Sequence, residues 1–468
     1  MGAGRFLGVF VPTVYLQYEG VEPILDRIQN AGGTAVCLYP RLGRPAQGGA
    51  GERFPDLHID GFERILDRPL WGRRDLDIET FPAFESDRAL YGDTPYRPAT
   101  IAIPQDVDRQ DAVVTAISSA HRRGLEAHLL IHPLLVPGLR DSDTPRSAAG
   151  RADDGQVVAR SACPSSPDAR RYAIALARDT VAHAPDVDGL FLDWTEFRAY
   201  ALGDLFGCIC SHCGARARAA GYSWDEIVAA LRGAWQAASE LTPDGLLRFR
   251  HAMRTPRELI RLLAGHRALL AWIEFKARTV TELHREVRAA LDADGAGHVM
   301  LTARGWAPPW NLVSGLDYER LPNICGAVAP KIFTFDYAAI PRWYGRTLAD
   351  WNPRLPEELI LDALVEVLDL PDDRAPRRFA AYQMPAPGES HPTPPEAYAT
   401  RIEEVAEAVA GRVPCYPIIH AYLPEGQWKR MVAIVRDGPA NGTWVQMYGY
   451  LSDPKLRILR DTWRARAP

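Results

Sequence analysis

Asp193 and Glu196 stand three residues apart at the end of an apolar run, in "DGLFLDWTEF", and three cysteines follow at Cys208, Cys210 and Cys213. Two carboxyl groups in one cleft can divide acid and base work. One donates a proton to a leaving oxygen and the other acts as nucleophile or base, which is what cleavage of a glycosidic bond requires. The Cys-x-Cys-x-x-Cys loop presents soft ligands from a tight turn, and zinc takes four such ligands in a tetrahedron. Cys163, in "SACPSSPDAR", is the fourth candidate, because it begins the helix after the third strand and so lies beside the loop after the fourth. Four thiolates leave no open position, so a zinc ion here is expected to be structural, staking down the loop behind Glu196. Cys37, Cys325 and Cys415 lie in or beside strands and read as small core hydrophobes.

Eight short apolar runs are candidate strands to carry these groups: "FLGVFVP", "TAVCLYP", "EAHLLIHP", "GLFLDWTE", "HVMLTARG", "GAVAPKIF", "CYPIIHAY" and "GTWVQMYGY". Amphipathic segments alternate with them, among them "VEPILDRIQNAG", "LDYERLPN" and "YATRIEEVAEAVAG". In the last, Ile402, Val405, Ala406 and Val409 keep the i, i+3, i+4, i+7 spacing of one helix face. Eight β/α repeats predict an α/β fold, a (β/α)8 TIM barrel, in one domain over residues 1–468. A bare barrel needs about 250 residues, and the surplus falls in connections that follow strands, at about 41–105, 133–165, 197–265 and 337–397. Those connections build the face where barrel active sites lie.

Alternation along each strand then says which side chains face the axis. Leu190 and Leu192 face helices, so Gly189, Phe191 and Asp193 face inward. The same parity turns Arg304 and Lys331 inward, with His132, His420, Gln446 and Tyr448 near their strand ends, and Tyr39 follows the second strand. Trp306 and Trp310, after the fifth strand, can stack on the apolar face of a sugar. Glu196, past its strand end and beside aromatic loops, is the candidate general acid. Asp193, kept ionised by Lys331 or Arg304, Glu425 in "IIHAYLPEG", and Asp336 in "FTFDY" are the candidates for the second carboxylate.

Composition narrows the classes. A net charge of −5 with both signs interspersed offers no nucleic-acid footprint. No apolar run approaches the roughly 18 residues of a membrane span, and the first twenty residues lack the pattern of a signal peptide. Seven thinly spread cysteines argue against a disulfide framework, so a cytoplasmic protein with a small-molecule or oligosaccharide substrate is expected, and self-association stays open.

The strand-four acid followed by the cysteine loop resembles bacterial TIM-barrel glycoside hydrolases, including the β-galactosidases of glycoside hydrolase family 42 and barrels described as hypothetical glycosyl hydrolases. That resemblance implies an acid/base at Glu196 and a nucleophile at Glu425. It also implies a zinc site with one cysteine upstream of the cluster, as Cys163 is. The stretch around Asp188 and Asp193 partly resembles the acidic strand of chitinase-type barrels as well. The expectation is a glycoside hydrolase or a related carbohydrate-active enzyme. Two alternatives stand beside it: a lyase or isomerase moving protons with Lys331, His132 and His420, and an inactive sugar-binding barrel.

Overall fold

Short runs of Val, Ile, Leu and Phe without polar alternation suit strands buried on both faces, as in a parallel sheet wrapped by helices. The computed structural model describes residues 5–47, 51–55, 64–98, 112–150, 160–370, 376–386 and 388–464. In it the eight runs become β1 (Phe6–Val11), β2 (Ala35–Leu38), β3 (Glu126–Ile131), β4 (Gly189–Leu192), β5 (Met300–Trp306), β6 (Ala327–Ile332), β7 (Ile418–His420) and β8 (Gly442–Gln446). All neighbouring pairs are parallel, and the order β1–β8–β7–β6–β5–β4–β3–β2 closes on itself. The fold is a (β/α)8 TIM barrel.

Large and small residues alternate to fill the barrel interior. Phe10, Phe191 and Trp444 meet with ring centroids 5.0 to 5.2 Å apart, and His128 packs edge-on to Trp444 at 5.1 Å. Glycines make room for them: a Cβ on Gly8 would lie 2.2 Å from the Trp444 ring, and one on Gly189 2.2 Å from the His128 ring. This aromatic plug closes the interior below the strand ends, so functional groups gather above it.

Helices begin where their sequences provide caps. Ser166 accepts from the Ala169 amide and Pro167 sits at the first position of the helix Pro167–His183. Cys210 caps the helix Ser211–Ala219 with its sulfur. Of the expected helical segments, "LDYERLPN" forms only a 3-10 turn at Leu321–Asn323, because Pro322 follows one residue in and removes a donor. The connection after β2 holds a three-stranded antiparallel sheet of Arg41–Pro45, Leu76–Pro82 and Glu52–Phe54. The connection after β4 folds into four helices between Ser211 and Gly265, and the one after β6 into Asp336–Trp351 and Glu357–Val367.

Candidate active site and metal centre

β4 ends on Asp193, whose side chain is almost wholly buried. Its Oδ1 accepts from the Trp194 amide at 2.9 Å and lies 2.5 Å from Lys331 Nζ, while Oδ2 lies 3.2 Å from Arg304 Nε and 3.5 Å from His132 Nε2. Arg304 and Lys331 arrive from β5 and β6, and His132 from just past the end of β3. Burial alone would push the carboxyl's pKa up, but Arg304, Lys331 and His132 together hold it far below its ordinary range. Asp193 is therefore a fixed anion. Trp194, directly after it, adopts the left-handed region (φ 55°), and its ring lies 5.3 Å from His132 and 5.6 Å from the Lys331 ammonium.

Glu196 behaves oppositely. It is 6% exposed and lies against the backbone of Gly305, where a Cβ would come within 2.7 Å of Oε1. No side chain among the described residues hydrogen-bonds either carboxyl oxygen. Burial raises its pKa to about 7; Lys331 opposes the rise and the Asp193 charge adds to it, while the amides of Glu196 and Trp306 are too weak to reverse it. Asp336, at the start of its helix, is also buried and pushed up to about 7 by burial, against the pull of Lys331 and Arg64. Tyr200 senses all three carboxyl groups: burial, then Asp336, Asp193 and Glu196 raise its phenol well above the usual value. Three acids thus surround one lysine, with one ionised and two protonated up to neutrality.

The remaining strand-end groups divide. Arg304 donates to Gln446 Oε1 at 3.2 Å, Gln446 donates to the Tyr39 hydroxyl at 2.9 Å, and the guanidinium lies over the Phe10 ring at 4.6 Å. Tyr39, Arg304 and Gln446 therefore form one chain that anchors the Asp193 ion pair to the aromatic plug. His132 is held neutral by burial, which outweighs Asp193. His420 accepts from the Tyr422 amide at 3.1 Å, faces Arg64 at 3.5 Å and is ringed by Phe333, Phe335, Tyr422 and Tyr450. Trp306 and Trp310 are buried with Tyr200 and Tyr337 rather than presented as open platforms, so they wall the site.

Two residues go elsewhere. Tyr448 lies beyond β8 in a 3-10 turn, and its hydroxyl donates to Glu19 and accepts from Arg27, on the side of the first two helices. A cavity of about 690 Å³ opens beside Glu19, Arg27 and Arg68, away from Asp193. Glu425 is the exposed first residue of the helix Glu425–Asp437, where a carboxylate complements the helix dipole. Arg64, Tyr200 and Gly305 were not singled out by sequence pattern. Arg64 comes from the long second connection, and only its fold back over Phe335, at 5.2 Å, brings it to the site.

The four cysteines converge although Cys163 is 45 residues from Cys208. Their sulfurs all lie within 4.8 Å of one another; Cys163 stands 3.5 Å from Cys213, 3.6 Å from Cys210 and 3.9 Å from Cys208. Thiolates 2.3 Å from a tetrahedral centre stand about 3.8 Å apart, so the spacing fits a bound metal ion. Backbone amides of Arg146, Ser165 and Cys213 point at three of the sulfurs, which favours thiolates. Lys276, fully buried beside the cluster, donates to the Val313 carbonyl at 2.5 Å and lies over the Trp272 ring at 4.0 Å and the Phe197 ring at 5.1 Å. Phe197 follows Glu196 directly, and its amide is fixed by the Ser314 carbonyl. Lys276 therefore stands between the cysteine cluster and the segment that carries Glu196.

No protein-family model matches the chain, and no curated protein matches it in sequence. Among solved structures, the chain is similar to a β-galactosidase from the psychrophilic Marinomonas ef1, with a TM-score of 0.51 and 10% identity over 98% of this chain. It is also similar to a β-galactosidase from the haloarchaeon Halorubrum lacusprofundi, with a TM-score of 0.50 and 12% identity over 98% of the chain. The chain spans 59% and 57% of those proteins' lengths. At such identities the likeness is one of fold.

Proposed function

We propose that the chain is a glycoside hydrolase, or a closely related carbohydrate-active enzyme, with Glu196 as general acid. The observation that carries this reading is the separation of protonation states around Lys331. Neighbouring carboxyls whose environments drive their pKa values apart mark an acid and its counter-charge. Burial raises both Glu196 and Asp336 to about 7; the fixed charge of Asp193 adds to the rise at Glu196, while Lys331 and Arg64 oppose it at Asp336. Glu196 then protonates the glycosidic oxygen as the bond breaks. Asp336, which shares a pKa of about 7, meets the developing positive charge or activates water in its ionised form, a fraction that grows as pH rises through that value. Asp193 holds Lys331 and Arg304 in place and stabilises the oxocarbenium-like transition state from one side. Glu425, exposed at its helix start, has no part in this scheme. The metal we assign to the cysteines is zinc, held by Cys163, Cys208, Cys210 and Cys213. Its role is structural, because all four positions are filled by protein.

Leaving-group dependence tests the assignment. Glu196→Gln should cost about 10²- to 10⁴-fold on natural glycosides, whose departing alkoxide needs the proton, and far less on aryl glycosides with good leaving groups. Asp193→Asn should slow both kinds alike. Losses at Glu196 that ignore the leaving group would make it a nucleophile or binding group instead and would end this assignment.

A further inference from the structure

Four residues other than glycine take positive φ among the described residues, and three have an ordinary reason. Ala410 closes the helix Ala397–Val409, and Asp369 lies just past the helix Glu357–Val367. Trp71 shares with Gly72 a two-residue turn bridged by Leu70 and Arg73. Trp194 has no such reason. It ends no helix and turns no hairpin, yet this bulky residue holds φ 55° between the fixed anion Asp193 and the acid Glu196. Backbone of that kind persists only where the surroundings impose it, and it gathers at functional sites.

The surroundings here are explicit. Asp193 Oδ1 accepts from the Trp194 amide at 2.9 Å, and the Asp193 amide donates to the Ile131 carbonyl at 3.0 Å. On the other side, Thr195 Oγ1 lies 3.4 Å from Nε2 of His284, a buried residue of the helix Arg267–Ala293. His284 Nδ1 donates to the Val280 carbonyl at 3.0 Å, and burial keeps the ring neutral, its pKa lowered to about 4. Its Nε2 is left to accept from the Thr195 hydroxyl. Trp194 is clamped through both neighbours.

The clamped ring does little for the fold. It is half-buried where Asp193, Glu196 and Lys331 are buried, and it is not among the partly buried apolar side chains packed on the hydrophobic core. Its neighbours are functional groups instead: the His132 ring at 5.3 Å and the Lys331 ammonium at 5.6 Å, both partners of Asp193. No group among the described residues accepts from its indole Nε1. An indole offers a sugar an apolar face and one donor at its edge. Trp306 and Trp310 are buried too deeply to do so.

We infer that Trp194 is the stacking platform for the sugar that reacts, presented to it by the left-handed turn between Asp193 and Glu196. The inference rests on the proposed action on carbohydrate, but not on which bond is cleaved.

Saturation-transfer NMR on the full chain tests it without any need for turnover, with glucose, galactose, mannose, xylose and N-acetylglucosamine as probes. At least one should bind wild-type protein, with saturation strongest on the C–H groups of one face of its ring. Trp194→Ala should weaken that binding about tenfold or more, and Trp194→Phe by less than about threefold. On any nitrophenyl glycoside that wild type cleaves, the loss should appear in KM more than in kcat, as for a contact made equally before and during bond breaking. Trp194→Gly separates a platform from a prop. Glycine relieves the left-handed backbone, so this variant should melt no lower than wild type while binding sugar as poorly as Trp194→Ala. A Trp194→Gly protein that melts several degrees lower would make the ring a structural prop and overturn the inference. So would a wild type that binds none of the probes, or sugar binding unchanged in Trp194→Ala. Cleavage whose KM ignores Trp194→Ala would overturn it and leave the hydrolase standing. Binding that depends on Trp194, with no glycoside cleaved, would uphold the platform and retire the hydrolase.

Discussion

Asp193 and Glu196 are the same chemical group three residues apart, and their surroundings alone separate them. Asp193 meets Arg304, Lys331 and His132 at close range, while Glu196 is pressed onto Gly305 with no side-chain hydrogen bond among the described residues. A carboxyl whose folded pKa is raised from 4.5 to about 7 binds its proton more tightly in the folded state. The stability this contributes is complete below the unfolded value near 4.5 and disappears as pH rises through about 7. It amounts to on the order of 3 kcal/mol. Thermal melts of wild-type protein should therefore weaken between pH 5 and pH 8 (a window set by these values), with Asp336 adding to the slope. Glu196→Gln, which cannot ionise, should flatten part of that slope and be at least as stable as wild type at the upper end. A slope unchanged in the variant would mean that Glu196 is ionised throughout. The kcat/KM profile should share the pKa, with activity falling above about pH 7 as the acid loses its proton.

At the scale of elements, strand parity carried most of what could be read in advance. The eight strands lie where apolar runs predict them, and the inward settings of Asp193, Arg304 and Lys331 follow from a two-residue period alone. Parity stops informing once a strand ends: Tyr448, two residues past β8, turns to Glu19, and Arg64 reaches the site only through a long connection. The antiparallel sheet in that connection was likewise invisible, since its pairing joins residues some 35 apart. The cysteine cluster was legible because soft ligands at metal spacing signal themselves without any knowledge of the path between them. A bound metal would replace four separate thiols by one cross-link among the segment that precedes the helix Pro167–His183, the loop after β4 and the helix Ser211–Ala219. Elemental analysis of freshly purified protein should find about one zinc per chain, with Zn–S distances near 2.3 Å by X-ray absorption. Cys210→Ser should lose the metal, and amide exchange should then quicken through Phe197–Cys213. An unchanged exchange pattern in metal-free protein would show that the loop stands without its cross-link.

Across the whole molecule, the barrel interior and the site above it form one packed column. The Trp444 ring rests on Gly8, Phe10 and Phe191 close around it, and the Arg304 guanidinium lies on Phe10 while it holds Asp193. Interiors packed this densely transmit small insertions, because no void exists to absorb them. A methyl at Gly8 would stand 2.2 to 2.5 Å from three atoms of the indole, which is itself boxed in by His128 and Phe191. The ring cannot swing away without displacing the column. Gly8→Ala should therefore cost about 1–3 kcal/mol, the usual range for overpacking, or more if the strand shifts. Thermal melting reads the loss directly. The four cysteines lie in the connections after β3 and β4, outside the barrel interior, so metal content should be unaffected. kcat should fall by more than stability alone explains, because Phe10 is the seat of Arg304 and a displaced Arg304 loosens the charge of Asp193. A variant that melts like wild type, with unchanged pH dependence of kcat, would show that the aromatic plug yields freely and that the site is positioned by its loops rather than by the barrel beneath it.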